Sequence, residues 1–447
     1  MNAVLSMEDS SGGPDATVPT VASVPDPALD RHLASDAFYA DPYPAYARLR
    51  AEHPVYWCEP WRGWIVTRHA DVMAMLHAPN RYSSAGRQTP LLERLPAAAQ
   101  ERLRPLHRIF AAGGLLNSDP PDHARLRRLV QRAFTPRIVA GLRPSVERIV
   151  AGLLAGADRS GRLKVVGELA YPLSMRVIAE LLGVPPSAGP DAYPLFRDYA
   201  HALRAYFDGN GHLSADNALR VQATTMAVYD RFRALLAERR AAPRDDLLTA
   251  LADADESGDF LGEEELLATC AILFQAGHET TANLIANGLF TLLRHPEQMA
   301  LLRDEPALLP GAVEEILRWV GSVSAVRRVV TADVEVHGAR LRRGQLVHLV
   351  LASANRDPAV FADPERFDVH RPVSELRHVA FGHGVHFCIG AALARMETAV
   401  ALPALLARRP ALRPADEPRY HPGMLRPALR SLTVDMEPRR AGGPDGR

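Results

Sequence analysis

The amino-acid sequence predicts a mainly α protein with a small β part, built as one domain around a long central helix. Three observations carry that expectation. Apolar residues recur at helical spacing in eight stretches, strand-like alternation is confined to three short ones, and the regular strand–helix alternation of a doubly wound sheet is lacking. With 447 residues the chain is long enough to bury a large core. Its 52 basic and 52 acidic residues cancel, so the total charge gives no reason to expect nucleic acid or an anionic membrane surface as a partner.

In chain order, residues 1–27 are rich in Ser, Pro, Gly and Asp and have neither a basic nor an apolar leader region, so they read as a disordered tail. Helical periodicity follows at 42–53, 122–158, 167–183 and 215–240, with the strand-like GWIVTR at 63–68 between the first two. Residues 262–294 form the longest periodic stretch, and a helix of that length spans roughly 50 Å. Glu263, Glu264 and Glu265 open it and Arg294 closes it, which complements the helix dipole. Near its centre the apolar pattern gives way to AGHETT, residues 276–281. Ala276, Gly277, Thr280 and Thr281 put small side chains on one face of consecutive turns, a face suited to a flat partner or to a neighbouring helix.

Further helices are expected at 297–303, 309–320 and 389–407, and strands within 329–352 and 431–438. Residues 439–447 read as a second disordered tail, leaving 28–438 as the domain. No uninterrupted apolar run reaches about 18 residues, so a cytoplasmic monomer without a membrane anchor is expected.

Only three cysteines occur, Cys58, Cys270 and Cys388, too far apart for a CxxC pair or a disulfide framework. Cys388 stands in FGHGVHFCIG, residues 381–390, ahead of a helix expected to begin near Ile389. Gly382 and Gly384 permit close backbone approach, and free N–H groups at a helix start stabilise a thiolate, lowering its pKa from about 8.5. From the residues alone the sulfur can be a metal ligand, a buried structural thiol, a catalytic nucleophile, or part of a zinc site with His383 and His386. No nearby HExxH or CxxC completes the last of these.

FGHGVHFCIGAALAR resembles the cysteine-ligand loop of the cytochrome P450s, FGxGxHxCxGxxLAR, at every fixed position. AGHETT is similar to the family's oxygen-activating motif, Glu315-Ile-Leu-Arg318 to its ExxR pair, and PERF at 364–367 to the segment that adds another arginine, here Arg366. DPPDHARLRR at 119–128 resembles the helix that binds haem propionates in soluble bacterial members. The resemblance covers about residues 36–436.

It implies a single haem domain of the cytochrome P450 fold, holding haem b through the thiolate of Cys388. It also implies a cofactor pocket formed by His123, Arg127, Ala276, Gly277, Arg328, Phe381, Gly382, His386 and Gly390, with Arg327 competing with Arg328 for a propionate. Glu315, Arg318 and Arg366 become a structural ion-pair group, and Thr280 and Glu279 the catalytic alcohol and acid. The implied activity is hydroxylation or epoxidation of an apolar small molecule with O₂. No GxGxxG fingerprint follows a strand, so electrons are expected from a ferredoxin and its reductase, docking on a basic face of Arg125, Arg128 and Arg132. The alternatives are a peroxide-driven peroxygenase and a haem-binding protein without turnover. The substrate pocket is expected between 81–117, 190–215, the central helix, 320–327 and 422–428.

Overall fold

A computed structural model describes residues 26–436 except 94, 188–192, 208–213, 257–261, 407–411 and 422–427. Both expected tails lie largely outside the described residues, as do most of the FDGNGHLSAD segment and the 422–427 turn. The helix Glu263–Arg294 runs through the molecule, and most of its side chains are buried. Its core positions include Leu266, Leu267, Cys270, Phe274, Leu284, Ile285, Leu289 and Leu292. Such a helix is held by neighbours on every side rather than by one apolar stripe. Ile178 of helix Tyr171–Leu182 meets it at Gly277, Phe196 of helix Pro194–Phe207 stacks on Phe274 at 3.9 Å, and Ile316 and Leu402 close on Gly288. The acidic first turn and Arg294 in the last turn stand where the dipole favours them.

The expected helix over 122–158 is three. Asp122–Gln131 gives way to a 3₁₀ turn, then Pro136–Gly141 and Arg143–Ser160. Proline disfavours the helical region for the residue before it, and Thr135 is extended at ψ 151 ahead of Pro136, its hydroxyl capping Ile138 N–H. Short helices at 69–76, 89–92, 97–102 and 104–111, and the helices Pro194–Phe207 and Leu247–Glu256, were not marked by periodicity. Five of these six are ten residues or shorter, too short for a 3.6-residue repeat to stand out, whereas Pro194–Phe207 does carry one at Phe196, Tyr199, Leu203 and Tyr206.

The β part comprises a five-stranded sheet and smaller ribbons. Val55–Cys58, Gly63–Val66, Leu346–Leu349, Val326–Val330 and Tyr82–Ser83 lie side by side in that order. Gly63–Val66 runs parallel to Leu346–Leu349, and the other pairs in this sheet are antiparallel. Arg327 is in register with His348 and Arg328 with Val347, and successive strand residues face opposite sides, so the two arginines serve different surroundings. Among the described residues no helix is long and apolar enough to cross a membrane.

Candidate active site around the cysteine loop

The loop before helix Ala391–Leu406 is fastened at several points. Val379 N–H donates to Asn355 Oδ1 at 2.7 Å, Gly382 N–H to Val379 O at 2.8 Å, and Cys388 N–H to Phe381 O at 2.9 Å. Gly384, at φ +69, passes so close to Leu76 that a Cβ would stand 2.7 Å from its carbonyl oxygen. Arg127 reaches across from its helix to donate to Val385 O at 3.2 Å. A Cβ on Gly390 would lie 3.9 Å from the Cys388 sulfur.

Cys388 is exposed, while Cys58 and Cys270 are buried and their thiols pushed up by burial. The sequence argument for a lowered Cys388 pKa is not met. Although the residue has an exposed face, the protein packed around its sulfur pushes the thiol up, and the Gly390 N–H, then the charges of Arg127 and Arg395, only oppose that. The helix starts at Ala391, two residues later than expected. A metal cation bound there would favour the thiolate form. His383 turns to His77, with ring centroids 4.4 Å apart, and His386 to His123, at 4.1 Å, so the two do not converge with Cys388. Among the described residues no group of three or more His, Cys, Asp or Glu side chains could hold a metal ion, which removes the support for zinc.

A polar cluster adjoins the loop. His123 is 2 % exposed, and burial, then the charges of His386 and Arg127, hold it down at about 4. Arg328 is buried and lowered to about 10 for the same reason, with the Asp119 charge opposing the drop. It acts on both His123 and His386, so of the two candidates Arg328 belongs to this cluster, whereas Arg327 lies on the strand face that meets His348. Asp119 was quoted in the sequence motif without a role. Burial opposes its ionisation, but the nearby His386 ring and bonds from Ser83 and the Ser84 amide hold the carboxyl down at about 2.

The long helix opens at its centre. Ala276 is exposed and Thr280 partly so, while Gln275, His278, Glu279 and Thr281 are buried. Gly277 does not belong to that open face, because a Cβ on it would stand 2.5 Å from Ile178 Cδ1. Its smallness lets two helices touch. Thr280 Oγ1 donates to Ala276 O at 2.8 Å. Glu279 does not reach bulk water as expected: it is 1 % exposed, is ion-paired with Arg204, and accepts from Gln275 Nε2 at 2.8 Å.

The ion-pair group needs one correction. Glu315 and Arg318 are buried and joined by two 2.7 Å bonds, but the third member is Arg371, whose Nε lies 3.2 Å from Glu315 Oε2. Arg366 points outward to Asp368 at 3.4 Å and contributes only its carbonyl, which accepts from Arg318.

The sequence profile described as Cytochrome P450 matches residues 198–409. Cytochrome P450 107B1 of Saccharopolyspora erythraea is 42% identical over 406 residues, covering 89% of this chain and 96% of the relative. The chain belongs to the cytochrome P450 family. Vitamin D(3) 25-hydroxylase of Pseudonocardia autotrophica is 40% identical over 416 residues, 92% of this chain and 97% of that one. A solved P450, P450BioI in complex with an acyl carrier protein ligated to hexadec-9Z-enoic acid, superposes with a TM-score of 0.80 at 35% identity, over 90% of this chain and all of that one. The P450 chain is accordingly a haem b monooxygenase, an oxidoreductase that incorporates oxygen from O₂.

The residues present fit that cofactor. Arg328 and two imidazoles share a single carboxylate, Asp119, and Arg127 adjoins His123, an excess of donors and positive charge that suits a ligand bearing carboxylates. His386 Nε2 stands 4.0 Å from Asp119 Oδ1, buried and without a partner at bonding distance. The sequence missed Asp119, Arg371 and Arg204 as participants. Only Asp119 lay inside a quoted motif, and the other two are brought in by the fold.

Proposed function

We propose that Cys388 is the axial ligand of the haem and that the enzyme hydroxylates or epoxidises an apolar small molecule with electrons from a ferredoxin. The observation that carries this reading is the open Ala276–Thr280 face in the middle of an otherwise buried helix, with the one exposed cysteine in the loop that leads into helix Ala391–Leu406, which packs against that same long helix. His123, Arg127, Arg328 and His386 would hold the propionates. The haem supplies dioxygen binding and O–O bond cleavage when bound.

The chain's own part is to deliver protons and exclude water. Thr280 offers a hydroxyl on an open face, where its bond to Ala276 O leaves the oxygen lone pairs free to accept. Glu279 is a carboxylate one residue away, held by Arg204 and Gln275, so its exchange with solvent runs along the Arg204 side rather than directly. Gly114, at φ +71, brings the 81–117 connection onto Ala268, two turns before Ala276, which helps to cover the open face. An apolar substrate is supported by that small-residue face and by relatives named for vitamin D(3) or complexed with a fatty acyl chain.

The test is Thr280→Ala, supplied with electrons and a spin-shifting substrate. Oxygen consumption should stay within about twofold, while product per O₂ falls by about 10²-fold, the lower end of the range a single proton-transfer group contributes, and peroxide rises. Wild-type coupling would leave Thr280 with only its bond to the Ala276 carbonyl one turn back and favour the peroxide-driven alternative.

The electron-donor surface is narrower than the sequence suggested. Arg125 is drawn away by Glu265, 2.7 Å from its Nη2, leaving Arg128 and Arg132 exposed. Reversing both charges should slow reduction by a ferredoxin about tenfold at low ionic strength and flatten its salt dependence, as read by stopped-flow absorbance. An unchanged rate would move docking to another face.

A further inference from the structure

Glu314 and Glu315 are consecutive on helix Leu309–Trp319, about 100° apart, so they serve different neighbours. Glu315 faces Arg318 and Arg371. Glu314 takes the fork of Arg395, Nε at 2.6 Å and Nη2 at 2.8 Å, and lies 3.1 Å from His378 Nε2. His378 stands just before the cysteine loop and Arg395 just after it. Ala380 N–H donates to His378 Nδ1 at 3.3 Å, which puts the ring proton on Nε2, where it donates to Glu314. The guanidinium of Arg395 covers the ring of Phe381 at 4.5 Å, and the Phe381 carbonyl accepts Cys388 N–H at 2.9 Å. One carboxylate therefore ties both ends of the loop and the residue that orients the cysteine.

We propose that Glu314 is a positioning residue for the axial sulfur, holding the Arg395 charge against Cys388 and closing a clasp with His378 across the loop. Arg395 stands in the second turn of the helix that follows Cys388, and Glu314 reaches the loop through Arg395 and His378. Its influence runs through Arg395. Arg395 is 36% exposed, so without its anchor the arm is free to leave for solvent and take its charge with it. Burial opposes ionisation of Glu314, yet the bonds from Arg395 and His378 hold it down at about 2, so the clasp is charged throughout the working pH range. A cation beside a thiolate ligand withdraws electron density and favours reduced iron.

The inference rests on Cys388 being the axial ligand, and the experiment separates the two. In haem-loaded protein, Glu314→Gln and Arg395→Gln should each lower the reduction potential by an amount equal to about a tenfold change in the ferrous-to-ferric ratio, near 59 mV for one electron. The double variant should go no lower than Arg395→Gln, because the two side chains act as one unit. Single-variant potentials equal to wild type, or shifts that add, overturn the clasp whatever happens to the melting temperature. If Glu314→Gln does not retain haem, the shorter Glu314→Asp carries the same expectation and the same refutation. A wild-type protein whose reduced carbon monoxide complex lacks the thiolate-type Soret band sinks the axial-ligand reading itself.

Discussion

Arg318→Ala is expected to yield haem-poor protein destabilised by about 3–5 kcal/mol, the range for stranding one member of a buried ion pair. All five guanidinium N–H groups are spent: two on Glu315, and the rest on the carbonyls of Asn355, Pro364 and Arg366 at 3.2, 2.9 and 2.9 Å. Truncation leaves three buried acceptors and a carboxylate without that partner. The damage should reach the cofactor, because Asn355, whose carbonyl Arg318 holds, also presents Oδ1 to Val379 N–H where the cysteine loop begins. Arg371→Ala removes the second cation from Glu315 and should cost a smaller part of the same amount. Arg366→Ala should be nearly silent, within about 0.5 kcal/mol, since its side chain is 64% exposed. The ratio of Soret to protein absorbance and urea melts of the three variants decide this, and an Arg318→Ala protein with normal haem content and melt would leave the pair a minor contact.

That contrast also shows how far the sequence carried. The spacing of Glu315 and Arg318 announced a shared helix face, and FGHGVHFCIG announced a glycine-framed cysteine, because both are local properties of one element. Which arginine completes the group was not local. Arg366 and Arg371 sit five residues apart in a loop without periodicity, and only the path of the backbone turns Arg371 inward. Gly277 illustrates the same limit from the other side. A small residue on a helix face fits a cofactor or a neighbouring helix equally well, and the choice belongs to Ile178, 99 residues earlier in the chain. The long helix and the strands at 63–66 and 346–349 were legible through length and β-branched alternation, whereas the split of 122–158 turned on Thr135 and Pro136 alone.

Glu397→Gln should stabilise the protein near neutral pH, by an amount that grows as pH rises. Glu397 lies on helix Ala391–Leu406, fully buried, with neither carboxyl oxygen at bonding distance from a donor. Burial pushes its carboxyl up from 4.5 to about 8, and the Ser174 hydroxyl on the neighbouring helix offsets only part of that. The folded state thus binds a proton that the unfolded chain releases near 4.5. Stability linked to this group is complete below that value, falls as pH rises toward 8, and is flat beyond it. Between pH 5 and 7.5 the wild type should lose about 3 kcal/mol relative to the variant, since each pH unit in the window weighs about 1.4 kcal/mol. Glutamine keeps the shape and neutrality of the protonated acid, and its amide can donate to Ser174 Oγ, so at pH 5 the two proteins should differ by no more than about one hydrogen bond. Urea melts of both proteins across this range read the difference directly. Parallel pH profiles would mean that Glu397 is ionised in the fold and compensated there, contrary to the geometry around it.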